Sequence, residues 1–247
     1  MTMFVHREKI LKFLLSIAVL ANVLTWVYAR DVQARWTNVP PVPNELGAAG
    51  FALGDKQFAY RALGLMLQNM GDTGGRSTAL QDYNYEELTK WLFLMDQLDS
   101  ESNYVPYLAS YYFGSVQKPE MLRPMMDYFV AVGNTPYGEK WRWLAQGVYL
   151  ARFRMNDLDK ALEMAHVLAK IDNDQMPVWA RQMPGFVLTA QGEKEAAYAI
   201  MVETLKSSAD KLHPNEVNAM RAYICIRILD IEEARTHPLC QDIPEVQ

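Results

Sequence analysis

The sequence has few of the residues that disulfide frameworks and zinc centres require. Two cysteines in 247 residues cannot build a disulfide-rich scaffold or a Cys₄ zinc site. Lysine and arginine (24) are fewer than aspartate and glutamate (29), so the net charge is −5, and nucleic acid is not expected as a partner. Runs that alternate apolar and polar residues, as strands do, are also missing. Because half of the residues are apolar, we expect a globular, all-α protein.

No motif in the chain indicates catalysis. The glycine-rich segment at 71–78 lacks the Gly-Lys-Ser/Thr ending and the glycine spacing of a phosphate loop. The histidines at 166, 213 and 237 do not have metal-ligand spacing with each other or with the cysteines. We therefore expect no enzyme activity, no metal and no cofactor.

The N-terminus carries a membrane signal. Residues 13–29 contain no charge, and with residues 10–12 they form about 30 Å of helix, enough to cross a bilayer core. Arg7, Lys9 and Lys12 precede or begin the apolar run, so the positive-inside rule places residues 1–9 in the cytoplasm. The sequence thus predicts a transmembrane signal anchor over 10–29, a single pass through a bacterial inner membrane, and a periplasmic domain.

A cleaved signal peptide is the alternative interpretation of the same segment. Val27-Tyr28-Ala29 has small residues at the two positions that signal peptidase reads, which would release a periplasmic protein after Ala29. The apolar run is longer than the usual h-region of about 7–15 residues, which favours the anchor. Both interpretations imply export.

Prolines and glycines separate the apolar segment from the rest of the chain. Pro40, Pro41 and Pro43 are followed by Gly47 and Gly50, a composition typical of a stiff linker. We assign residues 30–54 to this linker, 55–235 to a helical domain and 236–247 to a C-terminal tail.

The helical domain repeats with a period near 36 residues. The clearest unit, residues 141–174, has two helices of apolar residues at i, i+3, i+4 spacing on either side of a turn at 155–157. Similar units occur at 107–132 and 179–205, and a looser one at 58–98. A last helix from about 215 to 229 is expected to cap the array.

These units resemble the tetratricopeptide repeat superfamily. The resemblance rests on Asp157-Leu158-Asp159-Lys160-Ala161-Leu162, similar to the start of a second helix in that family, and on small residues at the helix crossings. Those small residues are Gly64, Ala145, Ala161, Gly185 and Ala197. The resemblance implies a right-handed solenoid of antiparallel helix pairs, preceded here by one transmembrane helix, with an open concave face that binds protein partners.

Family-like geometry would place six polar or aromatic residues in this concave groove, and arginines on the first helices add a second expectation. The six are Tyr107, Ser110, Gln117, Gln146, Arg154 and Gln182. Arg61 and Arg142, with Arg152, Arg154 and Arg181, could bind a carboxylate or an acidic peptide, although scattered, solvated arginines are the alternative. The large aromatic residues are expected mostly in the core, with the alternative that some of them line the groove; they are Trp141, Trp143, Trp179, Tyr111, Tyr112 and Tyr149.

Cys225 and Cys240 leave two alternatives open. A disulfide would join the last apolar helix to the C-terminal tail, and in an oxidising compartment this is the expected chemistry. The alternative is one buried and one exposed thiol.

The sequence therefore predicts a membrane-tethered scaffold that binds protein partners, themselves membrane-associated, in the cell envelope, with the bilayer contacted through residues 10–29. One alternative is a permanent accessory subunit of a larger membrane complex. Another is an exported binder of glycans or small ligands that uses the aromatic residues.

Overall fold

The computed structural model describes residues 2–30, 39–73, 76–208 and 212–244, and the chain divides into two compact units, 1–37 and 38–247. The first unit contains one helix, α1 (Thr2–Ala29). Its segment Ile10–Ala29 has a mean hydropathy of 2.1 and is long and apolar enough to cross a membrane or to act as a signal sequence. The hydroxyls of Ser16 and Thr25 donate to carbonyls four residues earlier, which satisfies these polar groups within the helix.

The second unit is helical, as predicted. Its α-helices are α2 Glu45–Phe51, α3 Lys56–Gln68, α4 Tyr85–Leu98, α5 Tyr104–Tyr107, α6 Met125–Gly133, α7 Trp141–Tyr149, α8 Leu158–Ala169, α9 Val178–Arg181, α10 Met183–Gln191, α11 Lys194–Ser208, α12 Pro214–Tyr223 and α13 Ile231–Thr236. The sequence did not predict a two-residue antiparallel ladder, in which β1 (Asp72–Thr73) pairs with β2 (Arg76–Ser77).

Short π-helical and 3₁₀ segments extend several of these helices. The π-helical segments are Leu108–Tyr112 after α5, Leu150–Arg154 after α7 and Ile224–Ile228 after α12. The 3₁₀ segments are Leu80–Asp82, Phe113–Ser115, Pro119–Leu122 and Pro238–Cys240. With these extensions, α5, α7 and α12 become first helices of ordinary length.

Helices α5, α7, α9 and α12, which we call first helices, begin at a regular spacing along the chain. First helices begin at residues 104, 141, 178 and 214, which are 37, 37 and 36 residues apart. Along the chain α6 packs on α7, α7 on α8, α8 on α10 and α10 on α11. The helix predicted at about 215–229 is observed as α12 with its π-helical extension to Ile228, and the short helix α13 follows it.

Side-chain caps explain where α4 and α8 begin. Asn84 Oδ1 accepts hydrogen bonds from the amides of Glu86 and Glu87 at 3.0 and 3.2 Å, and so starts α4. Asp157 Oδ1 accepts from the Lys160 amide at 3.0 Å at the start of α8. Each cap satisfies amides that the first turn of a helix leaves without a partner.

The domain core begins inside the segment that was assigned to the linker. Val39 is buried, and Trp91 Nε1 donates a 2.8 Å hydrogen bond to the Pro40 carbonyl. Helix α2 adds Ala48 to the same core. The assigned linker, 30–54, is therefore folded from residue 39 onward, because backbone and small side chains there pack on α4, far away in sequence.

The assigned tail is also partly folded. Cys240 and Ile243 are buried with Cys225 and Ala234 in a small cluster of their own, and Cys225 and Cys240 are joined in a disulfide with their Cα atoms 5.7 Å apart. Residues 238–243 thus pack on the last helix pair, so the packed region extends beyond residue 235.

The helix crossings are made by small residues, including all five that the sequence singled out, which are buried. Gly133 and Gly147 add two more. A Cβ atom built on Gly133 would lie 2.3 Å from Leu144 Cβ, and one built on Gly147 would lie 2.6 Å from Met164 Cε. Any side chain at these two positions would separate neighbouring helices.

We expect Gly133→Ala to lower the free energy of unfolding by about 1–3 kcal/mol, because the added methyl group overpacks the contact with Leu144. Urea titration of the full chain in detergent, followed by circular dichroism, measures the change. Gly50→Ala is the matched control, since a Cβ at Gly50 has no atom within 4 Å. That control should raise stability by about 0.5–1 kcal/mol, and equal effects at the two glycines would contradict the packing described here.

Candidate functional site

Exposed aromatic side chains lie on neighbouring first helices of the domain. Tyr107 and Tyr111 are about half exposed, with their ring centroids 5.0 Å apart. Tyr149 and Phe153 are similarly exposed, with centroids 5.1 Å apart. We call these four residues the aromatic surface. Rings that pair on each other while remaining open to solvent are available for contact with another molecule.

The two aromatic pairs occupy the same place in the local backbone. Tyr107 and Tyr149 each immediately precede a π-helical segment, and Tyr111 and Phe153 are the fourth residues of those segments. The widened turn is visible after Tyr149, where the Met155 amide donates to the Leu150 carbonyl at 2.9 Å. Such turns insert one extra residue into a helix and are frequent at functional sites.

Three arginines of the first helices have specific partners, and one of these partners belongs to the aromatic surface. Arg152 lies over the Phe153 ring, 4.6 Å from its centroid. Arg154 Nη2 donates a 2.6 Å hydrogen bond to the Val116 carbonyl and so links two consecutive first-helix segments. Arg142 pairs with Glu139 at 2.7 Å and lies 5.5 Å from the Trp141 ring centroid. Of these three arginines, Arg152 contacts a ring of the aromatic surface, whereas Arg142 contacts the buried Trp141.

The predicted groove residues divide by exposure. Arg61, Tyr107, Gln117, Arg142 and Arg154 are exposed, and Gln146 is partly exposed. Ser110 is only 2% exposed, and its Oγ donates a 2.8 Å hydrogen bond to the Pro106 carbonyl. The prediction that Ser110 lines the groove is therefore wrong. Ser110 lies in a π-helical segment, and its side chain is directed into the domain, away from any partner. Gln182 is also buried, but it lines the cavity described next.

An open apolar cavity of about 290 Å³ lies between the first helices of the last two pairs. It is lined by Val178, Trp179, Gln182, Phe186, Glu216, Ala219, Met220 and Tyr223. Phe186 and Tyr223 meet edge to face with their centroids 4.8 Å apart. A cavity with mostly apolar walls and a few polar groups at its edges is suited to an apolar side chain of a partner or to a small ligand.

Aromatic exposure is the main feature that sequence reasoning missed. Tyr111, Tyr112, Tyr149 and Trp179 were expected in the core, yet all four are exposed. Phe153 and Phe186 were not singled out at all. The available signal was the i, i+4 spacing of the two ring pairs on helices whose buried faces were already filled by other residues.

A group of buried ionisable residues lies away from the aromatic surface. Lys140 is 1% exposed, and its Nζ donates a 2.5 Å hydrogen bond to the Ser102 carbonyl. Burial lowers the pKa of Lys140 and raises the pKa of Asp96, while the charge of each partly opposes the shift of the other. Burial also raises the pKa of the Tyr128 hydroxyl. Because Lys140 and Tyr128 are enclosed, we interpret this group as a structural connection among α4, α6 and α7.

Within the described ranges, no three histidine, cysteine, aspartate or glutamate side chains lie close enough to hold a metal ion. Comparisons of the chain with protein-family models, with curated proteins and with solved structures find no match. The function therefore has to be inferred from the residues themselves.

Proposed function

We propose that this protein is a membrane-tethered scaffold that binds protein partners through the aromatic surface. The observation that carries the proposal is the exposure of Tyr107, Tyr111, Tyr149 and Phe153 at equivalent positions of two consecutive first helices. Tyrosine, tryptophan and arginine are the residues that most often dominate binding energy at protein interfaces. The aromatic surface and its neighbouring arginines combine two of them.

The architecture we propose is a right-handed, tetratricopeptide-like solenoid. It is supported by first helices that begin 36 or 37 residues apart, by packing between successive helices and by glycines at the crossings. In such an array each pair contacts only its neighbours, so first helices line up and their exposed residues form an extended surface.

We place the protein in a bacterial inner membrane by its N-terminal helix. Arg7, Lys9 and Lys12 favour a cytoplasmic N-terminus, which would put the helical domain in the periplasm. The disulfide between Cys225 and Cys240 suits that oxidising compartment. A tether of this kind raises the effective concentration of the binding surface near other membrane proteins.

The partner segment we propose is a helix or extended peptide with apolar anchor residues and acidic flanks. Apolar anchors would pack on the Tyr149 and Phe153 rings, and a further one would fill the cavity lined by Trp179 and Phe186. Arg152, held over the Phe153 ring, would pair with an acidic residue of the partner. A scaffold that recruits partners and a permanent accessory subunit would use the same contacts. The two alternatives differ in the lifetime of the complex.

We expect the double variant Tyr149→Ala, Phe153→Ala to weaken partner binding by about 30-fold or more, the size of a loss at an interface hot spot. Pull-down titration with the full-length protein in detergent measures this affinity. Tyr137→Ala is the matched control, because Tyr137 is also an exposed aromatic residue but lies between helices, outside the aromatic surface. An equal loss for the control and the double variant would contradict a specific site.

Site-specific photocrosslinking tests the proposal in intact cells. A photoreactive phenylalanine at position 153 is expected to give a discrete crosslinked product, while the same residue at position 137 gives none. A product that survives mild detergent and migrates on a native gel as one large complex would identify a permanent subunit. Absence of any product at position 153 would contradict the proposed surface.

The cavity beside Trp179 supports a second candidate function, the binding of an exported glycan or small ligand. Its volume is near the lower end of known ligand sites, and aromatic walls with a few polar groups are common in them. Saturable quenching or enhancement of tryptophan fluorescence by soluble glycans would favour this function. A Trp179→Ala variant should then lose the saturable part of the signal.

A further inference from the structure

The short helix α2 and the turn after it carry an apolar patch that no described part of the helical domain covers. We call Leu46, Phe51, Leu53 and Phe58 the α2 patch. Leu46 is 81% exposed, Phe51 68% and Leu53 99%, and Phe58 is exposed at the start of α3. Single exposed apolar residues are common on proteins, but four large ones within thirteen residues are not.

Helix α2 is apolar on both of its sides. Ala48 and Ala49 are buried on one side, and Leu46, Gly50 and Phe51 face away from the core on the other. Its one charged residue, Glu45, pairs with Lys56 at 2.6 Å. Helices at a water-exposed surface normally carry polar residues on the outer side, so α2 has the composition of a helix covered on both sides.

Leu53 adds a second, independent observation. Its φ angle of +55° places it in the left-handed region, and Gly54 follows with +91°. A leucine in this conformation is disfavoured by contact between its Cβ and the backbone. Because the side chain is almost fully exposed, packing within the domain does not explain why a large apolar residue is held at the end of this turn.

The distance along the chain from the membrane helix limits how far the α2 patch can lie from a membrane. Helix α1 ends at Ala29, and Val39 is already buried in the helical domain. The intervening chain can extend at most about 36 Å at about 3.6 Å per residue, and α2 begins six residues after Val39. A bilayer that contains α1 therefore lies within reach of the α2 patch.

Charge shows which kind of membrane contact is compatible with this domain. After residue 30 the chain has 20 lysines and arginines against 28 aspartates and glutamates. Electrostatic attraction to anionic lipid therefore cannot hold the domain at the surface. Apolar insertion can, because it depends on the apolar area that leaves water.

We propose that the α2 patch inserts into the interface of the bilayer that α1 spans and holds the helical domain against that membrane. Leu53 enters farthest, since its side chain is the most exposed of the four, and Leu46, Phe51 and Phe58 lie beside it at the level of the headgroups. This inference rests on the proposed membrane anchor. The insertion would hold the helical domain at the membrane surface, whereas α1 alone would only tether it.

A single fluorescent label reports insertion in the full-length protein. The chain has two cysteines, joined in a disulfide, so an introduced cysteine is the site that a thiol reagent labels under non-reducing conditions. Leu53→Cys, labelled with an environment-sensitive dye and reconstituted in phosphatidylcholine vesicles, is expected to be quenched by doxyl-labelled lipid. The quenching depth should fall within about 10 Å of the boundary between headgroups and acyl chains, and phosphatidylglycerol should not increase it.

Two labelled controls define the scale. Leu20→Cys, in the middle of the apolar segment, should be quenched most strongly, and Ala190→Cys, exposed on α10, should not be quenched. Adding Leu46→Ser and Phe51→Ser to the Leu53→Cys protein should reduce quenching to the level at position 190. Since both replaced side chains are largely exposed, the circular dichroism spectrum should be unchanged.

Quenching at position 53 no greater than at position 190, with position 20 quenched, would overturn the inference and leave the membrane anchor intact. Absence of quenching at position 20 as well would overturn both. Energy transfer between labels at position 53 of different molecules, without quenching by lipid, would assign the α2 patch to a second copy of the chain and would also overturn the inference.

Discussion

Replacing Lys140 with methionine is expected to lower the free energy of unfolding by about 3 kcal/mol, because a buried carbonyl loses its charged donor and a nearby carboxylate loses a compensating charge. Lys140 is 1% exposed, and its Nζ donates to the Ser102 carbonyl. Its charge also stabilises the Asp96 carboxylate, whose Oδ1 has no hydrogen-bond partner in the described structure. Methionine fills a similar volume but leaves both groups uncompensated. Urea titration of the full chain in detergent at pH 7 measures the loss.

The same substitution should have a smaller effect in acid. Burial raises the pKa of Asp96, so the folded state binds a proton there more tightly than the unfolded state does. The contribution of Asp96 to the free energy of unfolding therefore falls as the pH rises and the carboxyl group ionises. It falls further when Lys140 is absent, because the buried carboxylate then loses a compensating charge. The difference between wild type and Lys140→Met should accordingly shrink as the pH is lowered and Asp96 becomes neutral.

Lys90→Met is the matched control for this prediction. Lys90 is exposed on α4 and pairs with Glu87 at 2.6 Å, an interaction expected to contribute about 0–1 kcal/mol. The control should change stability little at any pH. A loss for Lys140→Met that stays constant from acid to neutral pH would show that Asp96 is not the group that Lys140 compensates.

Replacing both Cys225 and Cys240 with serine is expected to lower the free energy of unfolding by about 3 kcal/mol, the loss that the chain-entropy model gives for a loop of this length. The bond joins positions 15 residues apart and closes the last helix pair over the cluster that contains Ala234 and Ile243. Because this cluster is separate from the main core, the loss should be local. Hydrogen exchange should accelerate in residues 231–243 and remain unchanged in α6, α7 and α8.

Two contacts of Arg221 beside the disulfide limit how far the C-terminal segment around Leu239 and Asp242 can separate from α12. Arg221 Nε donates to the Leu239 carbonyl at 3.0 Å, and its Nη2 lies 3.6 Å from Asp242 Oδ2. Reduction of the wild-type protein should reproduce the exchange pattern of the serine variant. Two titratable thiols in the unreduced, denatured wild-type protein would contradict the disulfide.

Much of the helical order could be predicted from the sequence because its signals are local. Apolar residues at helical spacing mark α7 and α8, and Asn156-Asp157 marks the turn between them, where Asn156 has a φ angle of +52°. The charge-free run before Ala29 likewise identified an apolar helix at the N-terminus. Spacing between repeats then placed the other pairs within a few residues of their observed starts.

The parts that could not be predicted depend on contacts between distant residues. Pro40 accepts a hydrogen bond from Trp91, 51 residues later, so a proline- and glycine-rich segment that has the composition of a linker is in fact packed. Lys140 is buried because Ser102 and Asp96 surround it, and nothing in its immediate neighbours indicates this. Ser110 turns inward because of a π-helical turn, which adds a residue that a 3.6-residue pattern does not anticipate.

The most direct test of a membrane-tethered, partner-binding scaffold is crosslinked affinity purification of the tagged, full-length protein from membranes of its own host, analysed by mass spectrometry. We predict peptides from residues 1–29 together with one stoichiometric membrane-associated protein, which is lost in the Tyr149→Ala, Phe153→Ala variant. A mature N-terminus at Arg30 with no enriched protein would contradict both the tether and the scaffold.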